Sequence, residues 1–83
     1  MSREKIARAL TRRPDGDDFR KQVFWLVDVI YACKASQDQA LVNQSKLLED
    51  ALGCLGRFLE TGDKDLLAQT HAHLEAFAQF VKQ

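Results

Sequence analysis

Hydrophobic residues are most concentrated in the segment from Val23 to Cys33. This segment reads VFWLVDVIYAC, and Asp28 is its only charged residue. A helix formed from it is apolar around almost its whole circumference, so it must be covered on several sides. In a chain of 83 residues, this cover can come only from the remaining helices or from another chain. The segment is therefore the best indicator of what the protein contacts.

The chain before this segment predicts a short first helix and the start of a second. Ser2 can cap a helix over Ser2–Thr11, in which Ile6 and Leu10 lie four residues apart. Pro14–Gly16 ends it. Asp17 or Asp18 then supplies a capping carboxylate for a second helix that runs to about Ala35. The expected core-facing residues of the second helix are Phe19, Val23, Leu26, Val27, Ile30 and Cys33.

The boundary between the second and third helices has the weakest signal. Ser36 and Gln39 form an S-x-x-Q capping box, which predicts a break near Ser36. No proline or glycine enforces this break. The alternative is a single helix of more than about forty residues. Such a helix is far longer than usual and would need a partner chain along its side.

The C-terminal half predicts a helical hairpin. The third helix runs to about Glu60, and the fourth runs from about Lys64 to Lys82. Between them, Gly62 closes one helix and Asp63 caps the next. No stretch alternates with the period of a strand. The predicted fold is all-α: a small antiparallel bundle of three principal helices plus a short N-terminal helix. It forms a single domain, with residues 1–16 as a basic segment and turn and residues 17–83 as the bundle core.

The composition indicates an ordinary globular domain. The chain is 46% hydrophobic and 29% charged, with twelve basic and twelve acidic residues, which excludes a disordered or strongly polyionic chain. A domain of this size has a marginal core, which self-association would relieve. The longest apolar segment is shorter than the roughly 18 to 20 residues that cross a bilayer, and the N-terminus has no signal-peptide core. We expect a cytoplasmic protein without membrane contact.

The second helix carries the candidate binding site. Its helical projection places a largely aromatic cluster around one charge, outside the main core stripe. Phe24 and Tyr31 fall on one side of Asp28, and Trp25, Val29 and Ala32 fall on the other. An exposed cluster of this kind is typical of a protein interface, because aromatic side chains give large contact area for little entropy lost. The alternative is that the other three helices cover this helix completely. The candidate partner-binding residues are Phe24, Trp25, Asp28, Val29 and Tyr31. We expect replacement of Trp25 to impair association more than folding.

The N-terminal segment is basic. It holds five cations against Glu4 alone. A basic helix at a chain end can lie on nucleic-acid phosphates or on an acidic protein groove. The alternative is a solvated, partly frayed end. The residues concerned are Arg3, Lys5, Arg8, Arg12 and Arg13.

The histidines and cysteines do not indicate a metal or redox site. His71 and His73 are two residues apart, so a helix turns them about 200 degrees from each other and one metal ion cannot easily take both. We expect His73 to be a core or interface histidine. Cys33 and Cys54 fall at predicted core positions, where free thiols behave as small apolar residues. We expect no disulfide, metal or cofactor.

Two glycines interrupt the third helix. Gly53 and Gly56 in the segment ALGCLGRF each cost roughly 1 kcal/mol relative to alanine in a helix interior. Two explanations are open: close approach of a neighbouring backbone, or a local bend.

The sequence contains no glycine-rich phosphate loop, no nucleophile beside a base and no E-x-x-H pair. We therefore expect a non-enzymatic protein–protein interaction module, an adaptor, regulator or inhibitor of another protein, that is itself a homodimer. The competing hypothesis is a nucleic-acid-binding regulator that uses the basic N-terminal segment.

Overall fold

Four α-helices make up the fold. The computed structural model describes residues 2–83 and contains α1 (Arg3–Thr11), α2 (Phe19–Lys34), α3 (Gln39–Thr61) and α4 (Lys64–Val81). The described residues form no strand. α3 packs most extensively on α4 and next on α2, while α1 packs on both α2 and α4. This arrangement confirms the predicted bundle of three principal helices with a short N-terminal helix.

The helix ends follow from local capping chemistry. Ser2, Asp18 and Asp63 each accept a hydrogen bond from a backbone amide two or three residues further on, at 3.3, 3.2 and 2.9 Å respectively. Each thereby satisfies an amide that has no partner within its helix. At the end of α3, Gly62 adopts the left-handed conformation with φ of 71°. The predicted starts of α1, α2 and α4 and the end of α3 are confirmed.

α2 and α3 are separate helices. The predicted break near Ser36 is therefore confirmed, and the single long helix is not formed. The prediction that Ser36 caps the third helix through a capping box is wrong. Asp38 is the N-cap of α3, and its Oδ1 accepts from the amide of Ala40 at 3.0 Å. The Ser36 hydroxyl instead accepts from the amide of Asp38 at 3.0 Å, which shapes the turn before the helix.

All four helices contribute to one core. Ile6 of α1 is fully buried, so the N-terminal helix belongs to the packed interior. Phe19, Val23 and Val27 of α2 are half-buried. Phe19 and Val23 pack against the buried cluster, as predicted, whereas Val27 is not part of that packing. The residues of the buried cluster are Ile6, Leu26, Val29, Ile30, Cys33, Leu41, Leu48, Ala51, Leu55, Leu74, Phe77 and Val81. Within residues 2–83, no helix is long and apolar enough to span a lipid bilayer.

Candidate interaction surface

One side of α2 is covered by α1. The indole Nε1 of Trp25 donates a hydrogen bond to the carbonyl oxygen of Ala9 at 2.8 Å, and the Trp25 side chain packs against the core. Val29, one turn further along, is 3% exposed. The placement of Val29 outside the core is therefore wrong. A projection of α2 alone does not show that α1 supplies a cover on this side.

The other side of α2 remains open. Phe24 is 68% exposed and Tyr31 is 70% exposed. They lie seven residues apart, which is about two helical turns, so both point to the same side. Asp28 lies between them, is exposed, and forms no ion pair with another described residue. We call Phe24, Val27, Asp28 and Tyr31 the outer face of α2.

A shallow groove adjoins this face where α2 meets α3. It has a volume of about 440 Å³ and is mostly apolar. At one end, the Nζ of Lys34 pairs with Oε1 of Glu49 at 2.7 Å, which ties the end of α2 to the middle of α3. The lining residues are Val27, Ile30, Tyr31, Glu49, Leu52 and Gly53. The outer face and the groove thus form one continuous surface.

The two interior glycines of α3 lie in open space. A Cβ atom added at Gly53 or Gly56 would meet no heavy atom within 4 Å. Close approach of another backbone within the described chain is therefore excluded as their explanation. Each glycine lowers helix stability without a compensating contact inside the chain, and Gly53 does so in the wall of the groove.

Two of the five N-terminal cations, Arg3 and Arg13, contact residues far away in the sequence. The Nε of Arg3 pairs with Oδ2 of Asp38 at 3.0 Å, and its guanidinium lies 4.7 Å from the centre of the Phe80 ring. The hydrogen bond from Arg3 lowers the pKa of the Asp38 carboxyl. Nη2 of Arg13 is 2.8 Å from Nδ1 of His71. These contacts attach α1 and the turn after it to the rest of the bundle.

The remaining three cations share one face of α1. Lys5, Arg8 and Arg12 follow the helical spacing of three and four residues and line a shallow depression. Arg8 pairs with Glu4 at 2.7 Å. Only Lys5 and Arg12 of the five therefore carry a charge without an ion-pair or hydrogen-bond partner among residues 2–83.

A second pocket lies between α1, α2 and α4. Arg13 and His71 stand at this pocket of about 390 Å³, with Trp25 and Glu75 also in its lining. Burial lowers the pKa of Arg13. Burial and the neighbouring Arg13 charge both lower the pKa of His71. A guanidinium only donates, so Nδ1 of His71 is the acceptor and the imidazole is neutral with its proton on Nε2.

The remaining candidate ligands are Cys33, Cys54 and His73. Cys33 is buried, which raises the pKa of its thiol to about 11, and Cys54 is half-buried with its Sγ 3.8 Å from Oε1 of Gln69. Both are free thiols. His73 is half-buried. No group of three histidine, cysteine or acidic side chains in residues 2–83 is placed to hold a metal ion.

Searches against protein-family models, curated proteins and solved structures found no match to this chain.

Proposed function

We propose that this chain is a non-enzymatic interaction module that binds another protein chain through the outer face of α2 and the adjoining groove. One observation carries the proposal: Phe24 and Tyr31 are both more than two-thirds exposed on the same side of one helix. Large exposed aromatic residues beside an apolar groove are characteristic of protein interfaces.

The two aromatic side chains supply part of the apolar contact area of the proposed interface. Each can bury roughly 150 to 250 Å², and about two-thirds of that area is exposed in the folded chain. Covering both removes roughly 200 to 350 Å² from water, which contributes about 5 to 9 kcal/mol at 25 cal/mol/Å². The loss of translational and rotational freedom on association costs roughly 4 to 15 kcal/mol, so contacts in the adjoining groove must contribute as well.

Nucleic-acid binding through α1 is the competing proposal. Lys5, Arg8 and Arg12 share a solvent face, but Arg8 is paired with Glu4. Specific DNA-binding proteins make roughly 6 to 10 phosphate contacts, so two unpaired cations favour the protein partner. A salt-dependent gel shift that disappears in Lys5→Ala/Arg12→Ala would support the competing proposal and count against ours.

The experiment is a capture comparison between two variants. The amount of partner protein captured by Phe24→Ser/Tyr31→Ser should be at least about tenfold lower than the amount captured by the wild type, because the variant lacks the apolar contact area. Leu59→Ser is the matched control, since Leu59 is 48% exposed and lies outside the outer face of α2. It should capture as the wild type does. Far-ultraviolet circular dichroism should be the same for all three.

Equal capture by the wild type and Phe24→Ser/Tyr31→Ser would contradict the proposal. A variant that retains its helical spectrum while losing capture supports it.

A further inference from the structure

We propose that the outer face of α2 binds the same face of a second copy of this chain, antiparallel, with the two-fold axis close to Phe24. This inference rests on the proposed function, in which that face binds a protein chain. The placement of charges along α2 identifies the occupant.

Two unpaired charges of opposite sign lie at equal distances from Phe24. Arg20 is four residues before it and Asp28 is four residues after it, and both are exposed. Neither forms an ion pair among residues 2–83. At 1.5 Å per residue, each lies about 6 Å along the helix axis from Phe24. An antiparallel second helix centred on Phe24 therefore brings Arg20 of each copy to Asp28 of the other.

Within one chain, Asp28 shares a shallow depression with Arg12 but forms no ion pair with it. Arg20 and Asp28 are about 12 Å apart along the helix axis, so they cannot pair with each other. The neighbouring cation, Lys21, is already 3.6 Å from Asp18. A parallel second copy would place Arg20 against Arg20 and Asp28 against Asp28, which repel. The charge pattern therefore favours an antiparallel copy.

The apolar positions fit the same arrangement. Phe24, Val27 and Tyr31 are spaced by three and four residues, which forms a stripe along one side of α2. On the two-fold axis, Phe24 packs against its equivalent, and every other contact occurs twice. The stripe is short, because the 16 residues of α2 span about 24 Å. An interface of this length buries less than about 1,200 Å², so we expect a dimer of micromolar affinity.

A charge-swap experiment tests this pairing. In the homodimer, Arg20→Asp sets two carboxylates opposite each other at both pairing sites, and Asp28→Arg sets two guanidinium groups there. Each variant alone should raise the dimer dissociation constant at least about tenfold, measured by sedimentation equilibrium near 100 μM, because two attractive pairs become repulsive. In an equimolar mixture, a heterodimer of the two variants has one carboxylate and one guanidinium group at each pairing site, so the mixture should associate with near wild-type affinity although neither variant does so alone. The double variant Arg20→Asp/Asp28→Arg restores opposite charges at both sites and should dimerise with near wild-type affinity.

Asp50→Arg is the matched control. It makes the same change of charge as Asp28→Arg at an exposed aspartate of α3, and it should leave the dissociation constant within about twofold of wild type, since a charge outside the interface has little effect on affinity.

A monomeric wild type at about 100 μM, or a double variant that associates no better than either single variant, would overturn the inference. If the wild type is monomeric but still captures another protein through Phe24 and Tyr31, the interaction proposal stands and the second copy is excluded. If Phe24→Ser/Tyr31→Ser also leaves capture unchanged, both fail.

Discussion

Phe24 and Trp25 are adjacent in the sequence but have opposite surroundings. Trp25 lies under α1 and donates to the backbone of Ala9, while Phe24 is 68% exposed. The difference arises because α1 is a single helix of nine residues. One helix packed on α2 covers only one of its sides. A helix that is apolar almost all the way round therefore retains an uncovered side in this chain, and that side is available to another chain.

The covered side depends on a helix that is too short to be stable alone. Nine residues are below the roughly 12 to 15 that an isolated helix needs in water. Three contacts at different points hold α1 in place: the buried side chain of Ile6, the Arg3–Asp38 ion pair and the Arg13–His71 hydrogen bond. Weakening these contacts should expose Trp25 to solvent, so that both sides of α2 would then be exposed.

The largest expected effect on this difference comes from Ile6→Ala. Ile6 is fully buried and is the only buried residue of α1. Its truncation should lower the free energy of unfolding by about 2 to 4 kcal/mol, measured by urea denaturation. The emission of Trp25 should shift toward that of an exposed indole. Ile6→Val, which removes one methyl group, should cost about 0.5 to 1.5 kcal/mol. Equal stability of wild type and Ile6→Ala would show that α1 contributes nothing to the core.

A smaller effect of opposite sign is expected on the open side. Gly53→Ala and Gly56→Ala should each raise the free energy of unfolding by about 0.5 to 1 kcal/mol, because alanine favours the helix and meets no atom within 4 Å. Gly62→Ala is the contrasting control. Its φ of 71° is unfavourable for alanine, so it should destabilise by about 1 kcal/mol. Destabilisation by alanine at residue 53 or 56 would indicate packing that the open groove does not have.

The smallest effect concerns pH. Burial and the Arg13 charge lower the pKa of His71 in the folded chain, so the unfolded chain takes up its proton at higher pH. Between the unfolded pKa, about 6.5, and the lower folded pKa, unfolding binds protons and stability falls as the pH is lowered. The urea midpoint should therefore decrease from pH 7.5 to pH 5, and His71→Gln should decrease less. Identical pH profiles for the two proteins would contradict the Arg13–His71 contact.

Much of the helical architecture followed from the sequence because it depends on local chemistry. Capping by Ser2, Asp18 and Asp63 and the left-handed Gly62 involve groups within a few residues of each other. The S-x-x-Q pattern predicts Ser36 as the cap of α3, but Asp38, directly before the first helical residue, caps it instead. Local patterns thus located the break without identifying which side chain satisfies the amides.

The candidate surface was only partly predictable because it depends on packing between distant segments. The projection of α2 places Phe24 and Tyr31 on one side of Asp28 and Trp25 and Val29 on the other, but it does not show which of the two sides another helix covers. The position of α1 decides that Trp25 and Val29 are the covered pair, and no residue of α2 predicts that position. The contact between Arg13 and His71, which are 58 residues apart, likewise has no signal in the sequence. Exposure of Arg3 and Arg13 was expected from their place near the chain end, but both contact other helices.

The urea midpoint of unfolding, measured at several protein concentrations for wild type, Phe24→Ala and Trp25→Ala, tests the difference between the two sides of α2 most directly. Dimerisation makes the midpoint rise with concentration. We predict that Phe24→Ala keeps the wild-type midpoint at low concentration and loses the rise. Trp25→Ala should have a lower midpoint at every concentration, because the substitution lowers the free energy of unfolding by about 2 to 3 kcal/mol. A low midpoint for Phe24→Ala, or an unchanged one for Trp25→Ala, would contradict the assignment of one side to folding and the other to binding.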